Sequence, residues 1–431
     1  MNRIPPAHPG RRTIRLALAL VPLLLVAADW PQFRGPGSAG TAADRGLPVS
    51  WSAQENVAWQ QPLPGPGASS AVVWGDRVLV TAYSGYGLSE ENPGDMRQLR
   101  LHVLCFDRST GRPLWQREVE PTLPEGRFEG FVALHGYASS TPATDGERVY
   151  VFFGRSGVMA FDLEGNLEWR TSVGSGTHGW GSATSPLVVG ERLLVNASVE
   201  SGNLVALDCA TGAILWQTGG MDSSWSTPVL VELDDAPAEV AVSVKGAILA
   251  IDPADGQVLW RADAIADYIC PSLVAHEGIV YATGGRRGTT LAVRAGGRGN
   301  VTASHRLWET NSGSNVPSPV VTDGRLYLVS DSGIAIAVDT ATGKTIYKKR
   351  LPGAGKVYAS VVAADDKLYA VTRESGTFVL AAGDRFEILA QNSLAPDSSV
   401  FNASPAVADG RLLLRSDRFL YSLGAAGGAS R

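Results

Sequence analysis

The chain has 431 residues, 18% of them charged, with 49 Gly, 25 Pro and three Cys. Its net charge of −5 argues against a nucleic-acid or anionic-membrane partner, since either needs a basic face. Gly and Asp recur at turn positions and no long stretch after residue 30 has helical apolar periodicity, so the composition favours short strands joined by tight turns.

Residues 1–28 read as a secretory signal peptide. Arg3, Arg11, Arg12 and Arg15 precede an apolar run from Leu16 to Val26 that closes on Ala27-Ala28. The run is shorter than the roughly 20 residues a membrane-spanning helix takes. Arg11-Arg12 leaves general and twin-arginine export both open. No Cys lies near the cleavage point, so no membrane anchor is expected. Cleavage leaves 33 basic against 42 acidic residues, a net charge of −9. The mature chain is expected to be a periplasmic or secreted monomer.

Residues 29–55 are rich in Pro and Gly and read as an extended strap, with Trp30 and Phe33 pinning it to the domain surface. The stretch from Asn56 to Leu63, carrying Trp59, has the pattern of a repeat's last strand with no repeat before it.

Repeats begin at Ser69. Openings near Ser69, Ser139, Ser182, Ser224, Cys270, Val316, Tyr358 and Phe401 make eight. Each starts with small residues and Pro, runs through an apolar strand, and turns at a polar pair such as Asp-Gly, a hairpin signal. A third strand ends in Asp-x-x-x-Gly and a fourth carries Trp, as in Cys105–Trp115, Ala206–Trp216 and Ala250–Trp260. Ala160–Trp169 is a shortened copy, and Ala337–Tyr347 ends on Tyr. Fixed-period repetition of four strands predicts an all-β fold: an eight-bladed β-propeller of four-stranded antiparallel blades over 56–423, with a flexible tail at 424–431. The eighth repeat stops after three strands, and the N-terminal strand at Asn56–Leu63 supplies the fourth, closing the ring without a sticky seam. Seven blades is the alternative count, because the fifth and seventh repeats have lost part of the Trp turn. Trp115, Trp169, Trp216, Trp260 and Trp308 are expected to wedge between blades, each indole N–H needing an acceptor.

Strand order puts the first and third turns of every blade on one repetitive face. The second turns and the blade-to-blade connections share the other, variable face. There the connections present His135, Tyr137, His178, Trp180, Asp222, Trp225, Tyr268, Asn315, Tyr358 and Asn402, and the second turns add Arg155 and Arg286. These twelve are the candidate ligand-binding residues. Aromatic and hydrogen-bonding groups around a central opening suit a flat organic ligand, a sugar or a peptide strand. His135, His178 and Asp222 on neighbouring blades raise a metal site, but their spacing is looser than structural metal sites show, and the histidines are expected to cap blade corners instead. Arg286, Arg287, Arg294 and Arg298, flanked by Gly, read as a solvated hairpin. Cys105, Cys209 and Cys270 fall in different repeats with no Cys-x-x-Cys, and no nucleophile or paired-carboxylate motif is present.

The Ala-x-Asp-x-x-x-Gly-x-x-x-Trp repeat resembles the tryptophan-docking motif of pyrroloquinoline-quinone-type (PQQ-like) β-propellers. That superfamily includes quinoprotein alcohol dehydrogenases and the propeller lipoprotein of outer-membrane barrel assembly. The resemblance runs from Asn56 to Leu423. The opening Trp30-Pro-Gln-Phe-Arg-Gly-Pro36 is similar to exported PQQ-like repeat proteins of planctomycete-type bacteria. The dehydrogenases set two adjacent cysteines beside PQQ and hold calcium with Glu, Asn and Asp; this sequence has no Cys-Cys, and those roles find no matching residues. The expected function is therefore a non-catalytic scaffold, without a cofactor, that binds a protein partner or a small organic or sugar ligand on the variable face. A PQQ- and calcium-dependent oxidoreductase and an outer-membrane assembly factor are the alternatives that the resemblance implies.

Overall fold

A computed structural model describes residues 29–424. The expected signal peptide and the tail from 425 lie outside the described residues. The chain forms eight sheets, each built on four antiparallel strands. Blade 1 comprises Val72–Trp74, Arg77–Ser84, Arg100–Asp107 and Pro113–Val119. Blades 2 to 7 follow over 143–171, 187–219, 229–263, 274–310, 320–350 and 362–392. Blade 8 takes Ala406–Ala408, Arg411–Arg415 and Phe419–Leu423 from the end of the chain and Val57–Pro62 from near its start. Val57 lies opposite Leu423 and Pro62 opposite Phe419, so the ring closes by strand pairing and the count is eight.

First turns use left-handed residue pairs: Asp323 (φ 49°) with Gly324 (71°), and Asp409 (56°) with Gly410 (66°). Such pairs match the twist of the strands they join. The middle strands of a blade are buried on both faces, whereas the outer strand Pro113–Val119 has only Val119 buried. The core therefore lies between blades. In one such cluster Tyr150, Val158 and Trp169 of blade 2 meet Val195, Val205 and Leu207 of blade 3.

The third turns are where blades interlock. Asp107 Oδ1 accepts from Thr110 N (2.8 Å), Thr110 Oγ1 (2.6 Å) and Ser109 Oγ (2.7 Å), and these bonds hold its carboxyl at about 2. Asp208 and Asp339 repeat the arrangement with Thr211 and Thr342. The Gly that ends the turn lies beneath the Trp of the preceding blade. A Cβ on Gly212 would come within 2.5 Å of Trp169, and Trp169 Nε1–H donates to Cys209 O at 3.0 Å. Trp115, Trp216 and Trp308 dock likewise on Leu163 O, Pro253 O and Thr340 O, at 2.9, 3.2 and 2.7 Å.

Trp260 packs between blades 4 and 5 as expected but docks on a different kind of acceptor. Its indole donates to Glu239 Oε2 (2.7 Å) in its own blade instead of to blade 5. In blade 5 the third turn is replaced by an insertion: Gly299–Asn300 pairs in parallel beside Trp260–Arg261, and Thr302–His305 forms one helical turn. The four arginines read as a solvated hairpin, Arg286, Arg287, Arg294 and Arg298, are all exposed, and Arg298 Nη1 also reaches back to Glu239 Oε1 at 3.1 Å.

The strap departs further. Trp30 is not pinned to the outer surface: it is 1% exposed and exchanges both backbone bonds with Val73 on the innermost strand of blade 1. Pro31 O accepts from Thr144 N in blade 2, and Gly40 O from Ala363 N in blade 7. Thr41–Ala42 then pairs in parallel with Ala363–Ala364. Innermost strands wall the axial channel, and these contacts all fall close to first turns. Residues 30–42 thus plug the channel at its repetitive end. Pro and Gly suit this path because the segment meets several blades in succession instead of running along one.

Candidate functional site

With one end plugged, the channel becomes a funnel opening on the variable face. Its cavity is about 200 Å³, and Phe33 on the plug belongs to its lining. Around it runs a ring of hydroxyls from the small-residue openings of the blades. Ser70 N donates to Thr141 Oγ1, Thr141 N to Ser185 Oγ, and Ser185 N to Thr227 Oγ1. The chain continues through Ser272, Ser318, Ser360 and Ser404, every step 2.9–3.0 Å. These seven bonds tie blades 1 to 8 in succession at the channel wall, and between blades 8 and 1 Arg415 Nη1 donates instead to Ser69 Oγ and Thr81 O.

The mouth has two unlike walls. Connections leaving blades 1 to 4 bring Phe131, Trp180, Trp225 and Tyr268 into one aromatic cluster, with ring centroids 4.9 Å (Phe131–Trp180), 4.8 Å (Trp180–Trp225) and 4.3 Å (Trp180–Tyr268) apart. Phe131 is 52% exposed, an apolar surface left open to the funnel's solvent. Connections leaving blades 5 to 7 supply Asn315, Tyr358 and Asn402. Asn315 Nδ2 donates to Tyr268 Oη and Asn402 Nδ2 to Leu134 O, both at 2.8 Å. Their Oδ1 atoms are buried without a partner.

Seven of the twelve sequence candidates line this cavity: His135, Trp180, Trp225, Tyr268, Asn315, Tyr358 and Asn402. His135 is locked by protein contacts, with Nε2–H donating to Trp180 O (2.7 Å) and Nδ1 on Ser139 Oγ (2.6 Å). Burial holds its pKa below the usual imidazole value, so it is neutral. It is a connector of two blade corners. Tyr137, Arg155 and His178 line a smaller neighbouring cavity of about 30 Å³. There Arg155 donates from Nε to Ser175 O (2.8 Å) and from Nη1 to Pro124 O, clamping the long insertion that carries Phe131. His178 packs edge-on against Trp180 and Trp225 and accepts Trp180 N at Nδ1 (3.1 Å).

Asp222 and Arg286 line neither cavity. Asp222 Oδ1 is taken by Ser223 Oγ (3.0 Å), and Arg286 stacks over Tyr268 at 5.5 Å. Among the described residues no group of three or more His, Cys, Asp or Glu is placed to hold a metal. Sequence reasoning missed Phe33, Phe131 and the hydroxyl ring. The ring had a legible signal, a Ser or Thr in each opening. Phe131 sits in a blade-1 insertion with no counterpart in the other repeats.

Beside Arg155 lie two carboxyls, half-buried Glu125 and buried Glu200. Burial pushes both carboxyls up to about 7; Arg155 partly opposes this at Glu125, and Ser182 Oγ donates to Glu200.

Comparison with known proteins follows the geometry. A family model described as outer membrane protein assembly factor BamB matches residues 100–349 and 244–391, more than half the chain. The chain belongs to this family. It is 27% identical over 343 residues to outer membrane protein assembly factor BamB of Yersinia pestis, covering 73% of this chain and 77% of that one. The structure of BamB from Moraxella catarrhalis aligns with a TM-score of 0.63 at 15% identity, over 87% of this chain and 99% of that one. A europium-containing methanol dehydrogenase aligns at 0.50 and 11% identity, over 82% and 89%. These structural likenesses speak to fold alone. The protein is a PQQ-like propeller of the BamB family that shares its fold with a quinoprotein-type methanol dehydrogenase.

The cofactor of the dehydrogenase branch is an anionic quinone held with a metal ion, and the funnel can be judged against it. No Asp, Glu, Lys or Arg lines the cavity. Cys105 and Cys209 are buried elsewhere, and Cys270, which does line it, is a lone thiol that burial pushes up to about 12. These residues do not fit PQQ with calcium. Among the described residues no helix is long and apolar enough to cross a membrane.

Proposed function

We propose that this BamB-family chain is an exported, non-catalytic binding propeller that takes a small ligand or a partner's side chain into the funnel of its variable face. The observation that carries this is the aromatic cluster of Phe131, Trp180, Trp225 and Tyr268, gathered from four separate connections over a blind cavity. Stacked aromatic groups left facing solvent at a concave site offer binding area at low entropy cost. The one hydroxyl–imidazole contact of the lining, Ser139 Oγ on His135 Nδ1, has its other ring nitrogen spent on Trp180 O rather than on an orienting carboxylate, which supports a structural link and binding without turnover. Two tryptophans in the cluster make the test direct. Titration of the secreted form with candidate ligands should quench intrinsic fluorescence, and Trp180→Ala should abolish the change. Turnover of a substrate by the purified protein alone would sink the reading.

A second reading, a role in outer-membrane protein assembly, is favoured by family membership and by the match over 77% of the Yersinia pestis protein. It predicts a protein partner on the same face. Affinity capture from cell envelopes that returns no assembly subunits removes it. Export itself is checked by sequencing the mature N-terminus, expected at Asp29.

A further inference from the structure

We propose that the funnel selects an uncharged ring compound that brings O–H or N–H donors, and that it rejects anionic ligands of the same shape. The inference rests on the reading of the funnel as a ligand site and names what that site takes. Three observations converge. The cavity lining contains Phe33, Phe131, Trp180 and other apolar groups but no charged side chain. An ion entering it would lose water without meeting an opposite charge, and buried ions are tolerated only when paired. His135 and Cys270, the lining groups that titrate nearest neutrality, are both held uncharged by burial.

The second observation concerns which polar atoms lack partners. Leu134 O can only accept, so the amide of Asn402 must turn its Nδ2 toward it, leaving Oδ1 pointing elsewhere. Asn315 gives Nδ2 to Tyr268 Oη, a hydroxyl that can accept or donate. Both Oδ1 atoms are buried and unpaired. A buried acceptor without a donor is costly, so either amide gains by turning its Oδ1 toward a ligand that supplies hydroxyl or amide hydrogens.

The third is the arrangement of the walls. The aromatic cluster comes from connections leaving blades 1 to 4, and the two amides from connections leaving blades 5 and 7. A ring lying on Trp180 or Trp225 therefore directs its substituents toward the amide side. The nearby guanidinium of Arg373 does not alter this, because it stacks over Tyr358 at 4.6 Å and gives Nη1 to Leu134 O at 3.3 Å outside the lining. A volume of about 200 Å³ is enough for one ring system rather than a drug-sized ligand.

Neutral aromatic amides or phenols and neutral sugars share this chemistry, so the test carries an arm for each. Fluorescence titrations of the secreted protein would use 4-hydroxybenzamide, its anionic twin 4-hydroxybenzoate, methyl glucoside and PQQ itself. The expected result is that 4-hydroxybenzamide or methyl glucoside binds at least about tenfold more tightly than 4-hydroxybenzoate and PQQ, with the better of the two identifying the source. Asn402→Leu and Asn315→Leu should each weaken that binding about tenfold. Asn315 is the safer variant, because Asn402 also anchors Leu134, and unchanged thermal unfolding shows that either protein is intact. Equal or tighter binding of the anions overturns the inference while leaving the funnel a ligand site. Absence of quenching by all four probes in a folded protein overturns both.

Discussion

The indole of Trp59 lies on Gly111: a Cβ there would sit 2.6 Å from Trp59 Cδ2, and Trp59 Nε1–H donates to Arg108 O at 2.9 Å. Residue 59 belongs to the strand that completes blade 8, and residue 111 to the third turn of blade 1. The ring is therefore closed twice, by strand pairing within blade 8 and by a Trp-on-Gly lock between blades 8 and 1.

Gly111→Ala is expected to destabilise the protein by about 2–4 kcal/mol, combining the clash with the cost of a non-Gly residue at φ 73°. Gly190 is also left-handed, at φ 57°, but meets nothing within 4 Å, so Gly190→Ala should cost only about 1 kcal/mol. Urea unfolding of the two variants separates the lock from the backbone effect. Equal losses would mean that Trp59 contributes nothing.

Glu239 replaces that lock between blades 4 and 5. It is 2% exposed and accepts from Trp260 Nε1, Gly296 N and Arg298 Nη1. Glu239→Leu strands the indole and the Gly296 N–H, while the largely exposed Arg298 keeps Gly297 O and solvent, and should cost about 2–4 kcal/mol, whereas Glu239→Gln keeps an acceptor for the indole and should cost less than half of that. The same Leu variant should expose 295–305 to limited proteolysis, a readout that mere loss of global stability would not confine to that segment.

How far the sequence reveals this molecule follows the range of the interactions. Asp107 bonds to residues two and three positions on, and Trp169 docks one repeat ahead, so both leave a periodic trace. Trp260 breaks the pattern because its acceptor depends on a single insertion in blade 5, which no period signals. The plug is invisible for another reason: Trp30 and Arg34 meet Val73 and Pro319, far along the chain and on opposite parts of the ring. At the variable face, connection residues could be placed by strand order, and seven of them line the funnel. Side-chain direction could not, which is why Asp222 and Arg286 sit outside it.

The pair Glu125 and Glu200 predicts a pH dependence of definite sign. Each carboxyl is raised in the folded state to about 7 from an ordinary value of 4.5, so the folded protein holds protons that the unfolded chain has released between these values. Stability from this pair is full below about pH 4.5 and is lost as pH rises to about 7, by about 2–3 kcal/mol per group. Arg155 and Ser156 oppose the rise at Glu125, as Ser182 does at Glu200, but burial outweighs them. Measured against the wild type across pH 5 to 8, Glu125→Gln/Glu200→Gln should flatten the fall in melting temperature. A parallel pair of curves would assign the effect to other groups.

Arg34 makes the plug a test of what buried charge does for this fold. It is fully buried, donates through Nη2 to Pro319 O and to Ala39 O (3.1 Å), and leaves Nε and Nη1 without partners. No carboxylate of the described residues pairs with it, and desolvation alone lowers its pKa to about 9. A buried guanidinium without a counter-charge is a net liability that an apolar side chain of similar length can match or improve. Arg34→Met is therefore expected to unfold within about 1 kcal/mol of the wild type, or later, and to keep ligand affinity at the funnel unchanged. Arg34→Ala instead leaves a cavity beneath Phe33 and should cost about 2–4 kcal/mol. If Met were as damaging as Ala, the bonds to Pro319 and Ala39 would be what holds the plug, and the closed floor of the funnel would depend on that one charged side chain.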